Sequence, residues 1–193
     1  MARKRCSQSG YSAVELLVVL GVLVILSAFA VFGWMGTNQN FLATAGMDDA
    51  IGQLRTARQL AISERRSIEI AFNGNNQIQL TPETTAGVPV VPNPLTPETL
   101  SSGVHFILFP GLPDTPMKFG NNAAISLVAA GAPPVAPVHF VSNGSLTDSN
   151  NNFVNGTIFL GLPGKTGTAR AITILGATGR VRPYYWDGQK WIE

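Results

Sequence analysis

Sulfur chemistry is nearly absent from this chain, whose 193 residues hold a single cysteine, Cys6. One thiol closes no internal disulfide and cannot supply a zinc site alone. Histidine is almost as scarce, at two residues, His105 and His139, and neither stands in an HExxH or CxxC-type pattern. Metal-centred catalysis therefore has no motif to stand on. Charge is thin as well: 12% of residues are Asp, Glu, Lys or Arg, for a net charge of +2. Of the 13 Lys+Arg, three (Arg3, Lys4 and Arg5) precede residue 10, which leaves 10 against 11 Asp+Glu in the remainder, or −1. At that balance a bulk electrostatic grip on nucleic acid is excluded, and any such binding needs a local patch.

Against this background the apolar run LLVVLGVLVILSAFAVFGWM at residues 16–35 dominates. About 20 apolar residues carry a helix across a bilayer core, so the segment is expected to be a membrane anchor. A carboxylate, Glu15, opens it, and a charge at the mouth of such a helix is costly enough to call for a partner. Glu15 also argues against an ordinary secretory signal peptide, since it stands where the apolar region of one would begin, and the run is too long. The basic residues Arg3, Lys4 and Arg5 place the N-terminus in the cytoplasm and the remainder outside it.

The residues Gly10-Tyr11-Ser12-Ala13-Val14-Glu15-Leu16-Leu17 resemble the leader and N-terminal helix of type IV pilins and of the pseudopilins of type II secretion. The resemblance implies cleavage by a prepilin peptidase after Gly10, N-methylation of Tyr11, and pairing of Glu15 with the N-terminal amine of a neighbouring subunit during assembly. Tyr11 stands where the family usually has phenylalanine, and a proline common in the first helix is missing. Cleavage would remove Cys6 with the leader.

No proline interrupts residues 37–67, where Met47, Ile51, Leu54, Ala57 and Ala61 recur at helical spacing. That pattern predicts an amphipathic continuation of the anchor, one helix from about residue 12 to about residue 66, with a joint expected near residues 33–40 where glycines accumulate. Beyond residue 67 the pattern turns strand-like. Alternation at 67–72 followed by Asn73-Gly74 predicts a hairpin with 77–81, and further strands are expected at 104–109, 124–128, 138–141, 157–160, 169–175 and 180–185. The proline-rich stretch 81–102 reads as an exposed loop. The expected organisation is a leader (1–10), a transmembrane assembly helix (11–36), its amphipathic continuation (37–66) and a β-rich extracytoplasmic domain (67–193). This is an α+β, type IV pilin-like fold in which a long helix packs on a mainly antiparallel, sandwich-like domain.

Three further pieces, residues 54–62 (LRTARQLAI), 139–144 (HFVSNG) and 172–182 with its Gly179-Arg180-Val181-Arg182, resemble the GspH/FimT pseudopilin group. The implied function is a GspH-like minor pseudopilin of a type II secretion pseudopilus, without enzymatic activity or cofactor. Its implied partners are other pseudopilins or pilins, a prepilin peptidase and an inner-membrane assembly platform. The bacterial inner membrane is the implied location, with a single pass. The alternative is a FimT-like minor type IV pilin that binds DNA for uptake through Arg180 and Arg182. On a strand these would share a face with Tyr184 and Trp186, joining guanidinium groups for phosphates to aromatic planes for stacking. Three weaker patterns are set aside. The two histidines read as strand residues, Asp148 with Asn150 and Asn152 reads as a polar turn more readily than a calcium loop, and residues 161–167 (GLPGKTG) miss the spacing of a phosphate loop.

Overall fold

The computed structural model describes residues 12–85, 88–89, 95–101, 103–129 and 137–193. The leader, with Gly10 and Tyr11, lies outside the described residues. Two compact units divide the chain, Met1–Asn38 and Gln39–Glu193. Helix α1, Ala13–Glu64, supplies all the described structure of the first and opens the second; its backbone is helical without a break through residues 33–40. Ser12 begins it, its hydroxyl accepting from the Val14 amide at 3.4 Å, and Glu15 follows three residues later, the spacing of a capping box. The helix ends at Glu64, and Arg65 takes a positive φ of 51°.

In the second unit α1 is followed by β1 (Ile68–Asn73), β2 (Gln77–Thr85), β3 (Val88–Pro89), β4 (Glu98–Thr99), β5 (His105–Phe106), β6 (Ile125–Ala129), β7 (Val138–Phe140), β8 (Leu146–Asp148), β9 (Val154–Gly161), β10 (Arg170–Leu175), β11 (Arg180–Trp186) and β12 (Trp191–Ile192). They form two six-stranded antiparallel sheets. One runs β3-β2-β1-β7-β8 with β4 also on β2; the other runs β12-β11-β10-β9-β5 with β6 also on β9. This is the expected α+β arrangement, a long helix followed by an antiparallel β domain.

The main core joins Met47, Leu54, Ala57 and Ala61 of α1 to Ile68 and Ile70 of β1, Phe140 of β7 and Ile172 and Ile174 of β10. The helical spacing of the apolar residues thus marks the stripe that is buried. Because Ile158 and Phe159 point to opposite faces of β9, the second sheet is covered twice. Its far face carries a smaller cluster of Phe109, Phe159, Ala171, Tyr184 and Trp191. The segment expected as a loop at 81–102 is partly strand. β2 continues through Pro82, which pairs with Ile68. The neighbouring Glu83 amide donates to Ser67 O at 2.9 Å, so Pro82 occupies the alternate position, where an N–H would point away from β1 and its loss breaks no bond to that strand.

One buried cation fastens α1 to the second sheet. Arg170 donates from Nη2 to Asn40 Oδ1 and Thr44 Oγ1, both at 3.4 Å, and its guanidinium lies 5.2 Å from the centre of the Tyr185 ring. No carboxylate faces it among the described residues, and burial pulls its pKa below the ordinary arginine value.

Candidate functional site

Two regions bear on function, one in each unit. In the first, Glu15 occupies the first turn of α1, where the exposed amides of a helix N-terminus favour a carboxylate. Its surroundings are unusual for a globular protein, because every described residue from Ser12 to Phe29 is exposed although most are Leu, Val or Ile; Leu17 is 74% exposed and Phe29 73%. Among the described residues no helix is long and apolar enough to cross a membrane. The side chains of residues 30–37, which complete the apolar run of the sequence, lie outside those described.

In the second unit the three dispersed sequence pieces come together around one side chain. Arg58, on α1, donates from Nε to Gly144 O at 3.0 Å, across 86 residues. Gly144 ends the 139–144 piece, and Gly179 opens the arginine piece. A Cβ on Gly179 would run into Gly144 O and lie 2.8 Å from Arg58 Nε. Both glycines have positive φ, 82° and 62°. The two turns therefore meet over Arg58 with no room for side chains, and glycine supplies both the conformation and the clearance. Sequence reading found the pieces but not their convergence, which depends on sheet topology.

Arg180 and Arg182 follow on β11, opposite Leu175 and Thr173 of β10. Arg180 is exposed and, among the described residues, makes no ion pair. Arg182 is neutralised in part by Glu193, Nη1 to Oε2 at 3.2 Å. Tyr184 and Trp186 share the parity of the arginines, as alternation predicts, yet they form no stacking platform. Tyr184 is buried in the second cluster, and Trp186 packs edge-on against Trp191 with ring centres 5.3 Å apart. The reason is the cover on the far face of the sheet, to which residues 107–117 contribute Phe109, Leu112 and Met117.

Beside the turn opens a cavity of about 680 Å³, lined by the guanidinium-bearing Arg55, Arg58 and Arg180, by Gln59 and Thr178, and by apolar Leu175 and Val181. Among the described residues no acidic one lines it. Arg55, Arg58 and Gln59 reach it because residues three and four apart share one side of a helix. A neighbouring small cavity holds Arg182 with Met117 and Thr173 and shares Leu175 and Arg180 with the first.

The residues set aside by sequence have occupied places. His105 contacts Asn75 Nδ2 through Nδ1 at 3.3 Å. His139 is fully buried on β7 with Nδ1 3.0 Å from Glu83 Oε2, an ion pair whenever the imidazole is protonated. Asp148 accepts from the Asn150 and Asn152 amides at 2.8 Å and from Asn152 Nδ2 at 3.0 Å. The Asn152 side-chain bond, with these amides, holds its carboxyl below the usual range, as a charged turn cap.

No protein-family model matches the chain, and no curated protein matches it in sequence. Among solved structures, two crystal forms of the type IV minor pilin FimU from Pseudomonas aeruginosa are similar to it. The first is 18% identical, covering 78% of this chain and 96% of that one at a TM-score of 0.43; the second is 20% identical, covering 81% and 96% at a TM-score of 0.45.

Proposed function

We propose that this chain is a minor, non-enzymatic subunit of a pilus-like filament, held in the membrane and assembled through the N-terminal half of α1. The observation that carries the reading is the exposed aliphatic surface from Ser12 to Phe29, capped by Glu15. A helix apolar on all sides is stable only when lipid or other helices cover it. The apolar sequence through residue 35 supports a bilayer as one cover, and packing against equivalent helices supplies the other. Glu15 then pairs with the N-terminal amine of a neighbour, which sets the register of addition in a medium of low dielectric. Processing after Gly10 and methylation of Tyr11 create that amine. Within this class the favoured machine is a type II secretion pseudopilus, the subunit being GspH-like; the prepilin peptidase and an inner-membrane platform are its processing and assembly partners, and the β domain lies outside the cytoplasm.

The test is N-terminal mass spectrometry of membrane-extracted protein beside Gly10→Ala, with a working prepilin peptidase present. A chain beginning at methylated Tyr11, lost in the variant, is the expected result. An intact Met1 in the wild type would end the assembly reading. Glu15→Ala should be processed normally yet fail to enter sheared filaments.

DNA capture is a second reading, favoured by the grouping of Arg180 with Arg55 and Arg58. The Arg182–Glu193 pair and the burial of Tyr184 weigh against it. Unchanged DNA affinity in Arg180→Ala/Arg182→Ala would remove it.

A further inference from the structure

Three guanidinium groups converge on one concave cavity with no counter-ion among the described residues, and that arrangement calls for an anion. Arg55 and Arg58 are three residues apart on α1, a spacing at which like charges repel, and the turn brings Arg180 to the same space. Arg58 spends one donor, Nε, on Gly144 O, which fixes its direction; Arg55 and Arg180 are exposed and make no ion pair among the described residues. The other arginines of the second sheet differ. Arg182 has Glu193, and Arg170 is buried against Asn40, Thr44 and Tyr185.

We propose that this cavity receives an acidic side chain on an exposed segment of a neighbouring protein subunit, the carboxylate meeting Arg55 and Arg180 and an adjoining apolar side chain resting on Leu175 and Val181. The identity of the partner as a subunit rests on the filament reading above. Arginine forks bind carboxylates in a bidentate, planar way, and the apolar wall gives a protein segment a contact that a bare phosphate lacks. The cavity, about 680 Å³, has the size that encloses a few side chains. A nucleic-acid backbone would ask instead for a basic track with stacking surfaces, and the aromatic residues next along β11 are packed inward.

The experiment uses the full chain in detergent micelles and a peptide carrying rhodamine on its N-terminal amine, rhodamine-Leu-Glu-Leu-Glu-Leu-amide, followed by fluorescence anisotropy. The controls are its Gln-for-Glu counterpart and a short DNA duplex. Saturable binding of the acidic peptide is expected, absent for the Gln peptide and weakened about tenfold by Arg55→Gln and by Arg180→Gln, the loss of one charge-assisted hydrogen bond each. Arg182→Gln should leave it unchanged, because that side chain does not line this cavity and is paired with Glu193. Both Arg55 and Arg180 are exposed, so equal thermal melting of the variants and wild type is expected and checks that folding is intact. No saturable peptide binding, or binding indifferent to Arg55, overturns the proposal. Duplex binding that depends on Arg55 while the peptide fails also overturns it, in favour of nucleic acid. Failure here with normal Tyr11 processing rejects only the pocket. Peptide binding by a chain that retains Met1 rejects the filament reading and leaves the pocket.

Discussion

The two halves of α1 are one continuous helix and live in opposite surroundings. From Ser12 to Phe29 all positions are exposed, whereas Met47, Leu54, Ala57 and Ala61 are completely buried. The difference lies in pattern. The first half is apolar around its whole circumference, and the second confines its apolar residues to one stripe, with Arg55, Thr56 and Gln59 outside it. A stripe can be covered by the domain that follows in the same chain; a fully apolar cylinder needs a cover from elsewhere. One helix thus carries an intramolecular packing surface and an apolar surface that its own domain leaves exposed.

Truncation on the two halves sharpens this contrast most. Leu54→Ala should destabilise the domain by about 2–5 kcal/mol through lost burial and a residual cavity. Leu20→Ala should change unfolding by less than about 0.5 kcal/mol, since no packing of the domain depends on it. Denaturant unfolding in detergent, read by tryptophan fluorescence, measures both, and equal losses would break the comparison. Next in size, Gly179→Ala should cost about 1–3 kcal/mol for its backbone conformation, and more through collision with Gly144 O and Arg58 at the end of the covered half. Gly188→Ala has a positive φ of 102° but open space around it. The difference between the two variants isolates the close approach; identical losses would show that the two turns do not press on Arg58.

The smallest effect is electrostatic. Asp148 and Asp187 have folded pKa values lowered from 3.8, chiefly by the Asn152 side chain for Asp148 and by the Lys190 amide for Asp187. Their stabilisation is therefore fully present above 3.8 and is lost as pH falls through the lower folded values. A series of denaturation midpoints from neutral to acid pH should show that decline, flattened in Asp148→Asn. The helicity of residues 13–38 should not follow it, and a joint decline would mean that the halves are coupled.

Much of the fold was legible because it follows from local pattern. Helical spacing without proline located α1, and alternation with Asn-Gly and Gly-Arg turns located β1, β10 and β11. Strands β8 and β12 were not anticipated: Leu146–Asp148 and Trp191–Ile192 are too short to show a period. Pro82 hid the extension of β2, since its tolerance depends on which neighbour its missing N–H would face. For the candidate site, parity put Arg180, Arg182, Tyr184 and Trp186 on one face correctly. Exposure could not be read, because the far face of that sheet is covered by residues 107–117, most of which lie beyond the strand expected at 104–109. Arg55 and Arg58 gave a signal that went unused, two cations three apart on the polar side of a helix with no acid four residues away.

The meeting of Arg58, Gly144 and Gly179 also sets a schedule. The helix is made first, yet the turn that completes its cover is synthesised 121 residues after Arg58. At about 5–20 residues per second, the apolar stripe around Leu54 emerges roughly 6–25 s before its last neighbour exists. During that interval the nascent chain presents a half-finished hydrophobic surface on the second half of α1. Closure over Arg58 is consequently a late event in biogenesis, and a chain stalled before Gly179 would carry the complete helix α1 with its apolar stripe still partly uncovered.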